Sequence, residues 1–415
     1  MTPDAAKGTR RPWATTESGL ALAIVVVLVI TALVDSNHNY WYGPKDSAVD
    51  ILRQTVMLGI FALGSAVVII AGGIDLSTGS MIAFGGTICA TVMLVADPEG
   101  MKTGQVGVGV MLLAITATLA VGFLVGSLHA WLITVVGLPA FVATLATLVG
   151  LRSLGRAVVE NVTAEILGGR SSQIQIFDPQ FRYLATSVWI PTLLFVLLAL
   201  GLGILLKHTV IGRHLYALGG NEQAARLSGI RTDRLKWLAY CTSAVCASIA
   251  GILFIGDQSV ADPQTLGRGY ELNAIAAAVV GGCSLQGGVG TVSGTILGCL
   301  FLRSVIDGTA KVIKTGADVT EGLIVGIVVV MAVAFSQWRA GGQRGKQFFS
   351  GPLGSLAIVA LGLLAGTLVT LMAEKKAGMA AGGAAWVLLI GAKLWEGRSL
   401  ADSGRTTAPV DSNTA

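Results

Sequence analysis

Long apolar stretches alternate with short polar ones along most of this chain. Apolar segments fall at about 19–34, 54–72, 76–96, 105–126, 138–158, 184–206, 237–256, 289–306 and 319–338. A helix rises about 1.5 Å per residue, so about 20 apolar residues cross a hydrocarbon core roughly 30 Å thick. The pattern predicts an all-α polytopic membrane protein. A further segment, 272–283, is too short to cross alone and is either re-entrant or extended by its flanks, which brings the core to about ten spans. Two more apolar runs, 352–373 and about 380–395, predict an extra C-terminal helical hairpin, and the polar tail 398–415 reads as disordered. The organisation expected is a tail 1–18, a transmembrane domain 19–338, a linker 339–350, a hairpin 351–397 and the tail. The first apolar run follows Lys7, Arg10 and Arg11 as a signal peptide would, but it ends in "TALVDS", a poor cleavage site, so it reads as a retained span.

Composition agrees with this picture. Of 415 residues, 53% are hydrophobic and 12% charged, with a mean hydropathy of +0.75, whereas soluble domains carry about 25% charged residues. The 55 glycines suit helices that approach closely in lipid. Cys89, Cys241, Cys246, Cys283 and Cys299 all lie in apolar segments and match no metal-site spacing. The net charge of +5 is distributed by topology, so it is no nucleic-acid signal.

Loop charges set the orientation. The loop 207–236 carries Lys207, Arg213, Arg226, Arg231, Arg234 and Lys236 against Glu222 and Asp233, and 339–350 carries Arg339, Arg344 and Lys346. These, with the basic N-terminal tail, are expected in the cytoplasm. The loops 35–50 and 257–271 are acidic on balance and are expected outside. Ten spans with both ends inside satisfy every loop. Trp13, Tyr40, Trp41, Tyr42, Trp237 and Trp338 lie near span ends, where amphipathic rings favour the headgroups. Lys375 and Lys376 run against the rule, because a hairpin there places them outside.

Two glycine-rich breaks interrupt the apolar pattern. "GGIDLSTGSMIAFGG" at 72–86 and "GGCSLQGGVGTVSGT" at 281–295 share G-G-x-x-L-x-x-G when Gly72 is set against Gly281. In so glycine-rich a chain the likeness is either a true repeat or chance. Such breaks are tolerated in transporters where they line a cavity rather than lipid. Their polar and small residues, Asp75, Ser77, Ser80, Ser284, Gly287 and Gly288, are the translocation-path or helix-break candidates. Asp75 has two roles open to it. It either caps the following helix by accepting free backbone N–H groups or accepts hydrogen bonds from a solute. The position directly before "LSTGSMIAF" favours the cap.

No catalytic constellation is visible. His38, His129, His208 and His214 are dispersed, which argues against a metal site. The string nearest to a phosphate-binding loop, "GGQRGKQ" at 341–347, fails in its glycine spacing and in having Gln347 after the lysine. The chain is therefore expected to hold no cofactor, and any ATP must be used by a partner. The informative polar segment is "GRHLYALGGNEQAARLSGIRTDRLK" at 212–236. Within it "NEQAARLSGI" predicts a short helix closed by Gly229, with Ala224, Ala225 and Leu227 as a small apolar face. This is either an ordinary solvated loop or a docking helix.

The blocks "GGIDLSTGS" at 72–80, "GRHLYALGGNEQAARLSGI" at 212–230 and "GYELNAIAAAVVGGCSLQGGVGTVSGTILG" at 269–298, supported by "GLPAFVATLATLVGLRSLGRA" at 137–157, carry a family likeness. From about 50 to 338 the chain resembles the permease subunits of bacterial ATP-binding-cassette importers for monosaccharides of the ribose and xylose type, within the larger group that includes branched-chain amino-acid permeases. The resemblance implies a homodimer in the inner membrane, a separate ATPase subunit, an extracytoplasmic solute-binding protein, and alternating access for a small hydroxyl-rich solute. It also implies that the loop around Gly220, Asn221, Glu222, Ala224, Ala225, Arg226 and Gly229 is the segment that couples to the ATPase. The hairpin after 350 departs from the family pattern. Alternatives left open are another small solute, such as a nucleoside, polyol or branched-chain amino acid, and an ion-coupled secondary transporter.

Overall fold

A computed structural model describes residues 16–35, 37–313, 321–328, 330, 351–372, 379–380, 382–391 and 393. Residues 1–15 of the predicted N-terminal tail, the 339–350 stretch, Trp13, Trp338, Lys375, Lys376 and the tail 398–415 lie outside the described residues. The chain divides into two compact units, Met1–Ser336 and Gln337–Ala415.

The first unit is helical, with helices α1 (Thr16–Val34), α2 (Asn39–Tyr42), α3 (Pro44–Ile70), α4 (Thr78–Ala96), α5 (Pro98–Thr103), α6 (Val108–Thr134) and α7 (Ala140–Leu167) in its first half. There follow α8 (Pro179–Thr186), α9 (Trp189–His208), α10 (Val210–Gly220), α11 (Glu222–Leu227), α12 (Thr232–Gln258), α13 (Tyr270–Val280) and α14 (Val292–Ile313), and then helical residues 321–328. Eight of these helices, α1, α3, α4, α6, α7, α9, α12 and α14, are long and apolar enough to cross a membrane. The only sheet among the described residues is one short antiparallel pair, Ile174–Gln175 with Val260–Ala261. The molecule is thus the expected all-α polytopic membrane protein.

Burial sorts the spans into layers. The helices α3, α4 and α12 are mostly buried, whereas α1, α6, α7 and α9 turn most of their apolar surface outward. That inversion suits a lipid solvent, in which apolar side chains need not be hidden and small residues bring helices together. The central helix α12 packs on α3, α4 and α6. It lies tight against α6 at Gly126, where a side chain would run into the backbone of Cys241.

The segment foreseen as too short is α13, of 11 residues. It is entered through a loop held by Arg152 of α7, whose guanidinium donates to the carbonyls of Pro263, Gln264, Leu266 and Gly267 at 3.0–3.3 Å. Buried irregular backbone needs such partners, because a carbonyl hidden from water and left unpaired is costly. In the second unit, helix Gly351–Met372 runs beside helical residues 382–391, with the Trp386 indole donating to the Val359 carbonyl at 3.2 Å.

Candidate functional site

The two glycine-rich breaks end their helices in the same way. After α3, Gly72 N–H returns to Ile69 O and Gly73 N–H to Val68 O, with Gly72 at φ +82°. After α13, Gly282 N–H returns to Val279 O and Cys283 N–H to Ala278 O, with Gly282 at φ +97°. Both are Schellman caps, which need a residue in the left-handed region. The equivalent glycines are therefore Gly72 and Gly282, one position off the register obtained by matching letters. The breaks are structurally alike, and the Gly72–Gly281 alignment is corrected by that residue.

The breaks also meet each other at the end of α10. Gly288 N–H donates to Ile70 O at 2.9 Å, tying the second break to the end of α3. Gly219 lies between them. A Cβ built there would come within 1.9 Å of Ile70 O and 2.5 Å of Gly288 N. Gly287 in turn faces Gly219 O and Gly72 Cα. Backbone touches backbone here, so α10 packs directly on both breaks with no side chain between. Ser284 closes the second break's turn, its Oγ accepting from Gln286 N–H at 3.2 Å and its carbonyl from Gly287 N–H.

The next helix, α11, is built by its own caps. The Asn221 side chain accepts from Ala224 N–H at 3.0 Å. A third Schellman cap ends the helix at Gly229, φ +81°, with Gly229 N–H on Arg226 O and Ile230 N–H on Ala225 O. The expected helix closed by Gly229 is present. Its expected apolar face is split, however: Ala225 is buried, Ala224 is exposed, and Leu227 stands 90% exposed. The charged residues turn back on their own chain. Glu222 pairs with Lys236 of α12 at 2.6 Å, and Arg226 with Asp233 at 3.2 Å. Gly220 continues the wedge, its backbone lying against Gly288.

Asp75 sits in the first break, 2% exposed. Its Oδ1 accepts from Ser77 N–H at 2.9 Å and Ser77 Oγ at 2.6 Å, and its Oδ2 accepts from Ser243 Oγ of α12 at 2.7 Å. Capping in the strict sense is overturned. The residue at the N-cap of α4 is Ser77, which makes no side-chain cap bond, and Asp75 lies two residues before it. Asp75 instead folds the break and ties it to α12. Ser80 closes on the same turn, donating to Ser77 O at 2.8 Å. Around this acid lie two buried groups, Tyr240 and His129, both within its electrostatic reach. The His129 Nε2 pairs with Thr147 Oγ1 at 2.7 Å, while His129 Nδ1 and the Tyr240 hydroxyl have no hydrogen-bond partner among the described residues. His129, Tyr240 and Ser243 are absent from the residues singled out in the sequence for this site, because nothing local marks a histidine or a serine as the partner of an acid far away in the chain.

Two cavities open at opposite ends of α3 and α12. One, of about 510 Å³, lies beside the glycine junction and is lined by residues that include Gly72, Gly219, Asn221, Glu222, Lys236, Tyr240 and Gln286. The other, of about 350 Å³, lies near the start of α3 and the end of α12, and its lining includes Asp50, Arg53, Phe254, Asp257, Tyr270 and Arg303. They share no lining residue. Asp75, Ser77, Ser80, Ser284, Gly287 and Gly288 line neither; Gly287 and Gly288 lie directly behind the glycines that line the larger one. Among the described residues no cluster of His, Cys, Asp and Glu suits a metal ion.

Residues 47–333 match a protein family described as branched-chain amino acid transport system / permease component. The chain is similar to the ribose import permease protein of Escherichia coli (strain K12), 34% identical over 309 residues, which is 73% of this chain and 89% of that protein. It is similar to the ribose import permease protein of Bacillus subtilis (strain 168), 32% identical over 324 residues, 78% of this chain and 93% of the relative. The xylose transport system permease protein of Escherichia coli (strain K12) is 29% identical over 345 residues, covering 70% and 84% of the two chains. No solved structure matches the chain.

Proposed function

This chain belongs to the branched-chain amino acid transport system / permease component family, and from that premise we propose that it is the membrane-spanning permease subunit of an ATP-driven importer for a monosaccharide of the ribose or xylose type. Two copies pair in the inner membrane with two ATPase subunits, and ATP is bound and hydrolysed there rather than in this chain. A solute-binding protein delivers sugar to the end bearing Asp50 and Asp257. The end bearing α10 and α11, with its basic loop, faces the cytoplasm, as does the N-terminus.

The observation that carries this reading is the wedge of Gly219 between the two breaks, with Leu227 standing exposed on the adjoining helix. A subunit seated on α11 would displace α10, and the backbone contacts at Gly219 would carry that displacement to the ends of α3 and α13. Of those helices, α3 borders both cavities and α13 the one at the start of α3. Access then alternates, with the wall around Asp75 between the two states. Co-purification tests the docking step. Leu227→Asp is expected to lose the ATPase subunit on affinity purification while Leu227→Met keeps it. Full recovery of the ATPase with Leu227→Asp would contradict the reading.

A further inference from the structure

The cavity at the start of α3 has the build of a ligand site, and the coupling argument assigns none of its side chains a contact. Its charged groups, Asp50 excepted, are already matched. Arg53 pairs with Asp257, Arg303 with Glu321 at 3.2 Å, and Asp307 with Lys311 at 3.0 Å. Tyr40 donates to Asp307 at 2.7 Å and Asn273 to Glu321 at 2.7 Å. The lining is therefore rich in hydrogen-bonding atoms yet poor in uncompensated charge, Asp50 being the carboxylate without an ion-pair partner among the described residues. One buried donor is left over. Arg303 is 5% exposed, and its Nε–H has no acceptor among the described residues. The floor is aromatic, with Phe254 and Tyr270 at 5.1 Å between ring centroids and Phe61 stacked on Tyr270 at 5.7 Å. The volume of about 350 Å³ falls within the roughly 300–1,000 Å³ of small-molecule sites.

Each feature restricts the ligand. An anion would answer Arg303 but meet four lining carboxylates, Asp50, Asp257, Asp307 and Glu321. A cation would find those acids, Asp50 excepted, already paired. A neutral ring bearing several hydroxyls fits all of it: hydroxyl hydrogens go to the carboxylates, a ring or hydroxyl oxygen takes the Arg303 Nε–H, and the C–H face lies on the aromatic floor. We propose that this cavity is a monosaccharide-binding subsite inside the single protomer, occupied from the side opposite the coupling helix. The inference rests on the importer reading, to which it adds a place and a set of contacts.

The test uses the full chain reconstituted with its ATPase subunit. Gln54 lines the cavity, and the five native cysteines are buried, so Gln54→Cys supplies one reactive thiol for a membrane-impermeant maleimide. D-ribose or D-xylose is expected to slow labelling roughly threefold once the sugar exceeds its Kd about twofold, whereas sulfate and L-leucine leave it unchanged. Adding Arg303→Gln is expected to remove the protection, and should that variant fail to fold, the single variant still decides. No slowing by either sugar, in a preparation that takes up sugar with ATP, would overturn the subsite and leave the importer reading standing. Equal slowing by sulfate or leucine would overturn the ligand class. Sugar-specific protection without ATP-driven uptake would support the subsite and count against the importer.

Discussion

Asp75 concentrates the residue-scale chemistry of this fold. A carboxylate buried in a membrane protein must have its oxygens satisfied, and these accept from Ser77 N–H, Ser77 Oγ and Ser243 Oγ. Asp75→Asn can keep all three contacts, since its oxygen still accepts from Ser77 and its amide can donate to the Ser243 hydroxyl. Asp75→Ala leaves a buried N–H and two hydroxyls without an acceptor, at about 1–3 kcal/mol for each group left unpaired. The purified Ala variant is therefore expected to unfold at lower temperature than wild type in detergent, and the Asn variant close to it. Matching unfolding temperatures for Ala and wild type would refute this role. The acid and its break are legible in "GGIDLSTGS", but Ser243 is not, because the bond spans 168 residues. Glu222 shows the same limit. The string marks it as part of a docking helix, yet only the fold turns its carboxylate to Lys236 and leaves Leu227 facing out.

Among elements, the breaks and the loop before α13 matter most. Apolar run length made the spans legible, and the shortness of 272–283 announced α13. Matching letters pairs Gly72 with Gly281, while the positive φ belongs to Gly72 and Gly282, so the two caps stand one residue apart in that alignment. Arg152 was invisible as an anchor because its acceptors are carbonyls, which any sequence supplies. Arg152→Leu leaves the carbonyls of the loop 263–267, three of them on buried residues, without their donor, and is expected to lower thermal stability and open that loop to protease. Wild-type protease resistance would contradict the anchoring. At the junction, Gly219→Val places a side chain where Ile70 O and Gly288 N already lie. It is expected to abolish transport while α11, with caps of its own, still binds the ATPase. Uptake at the wild-type rate would show that the contact transmits nothing.

For the whole molecule, two separate cavities at opposite ends of α3 and α12, with no lining residue in common, suit a carrier that opens to one side at a time. Orientation can be read directly: a cysteine at the exposed Arg231 is expected to react only from the cytoplasmic side, and one at Ser259 only from outside. The direct test of the account is uptake of labelled D-ribose and D-xylose into proteoliposomes holding this chain, its ATPase subunit and the solute-binding protein. Uptake of one of these sugars is predicted to need ATP on the ATPase side and to continue when proton and sodium gradients are collapsed. Uptake that proceeds without the ATPase subunit and stops when the gradients collapse would contradict the account.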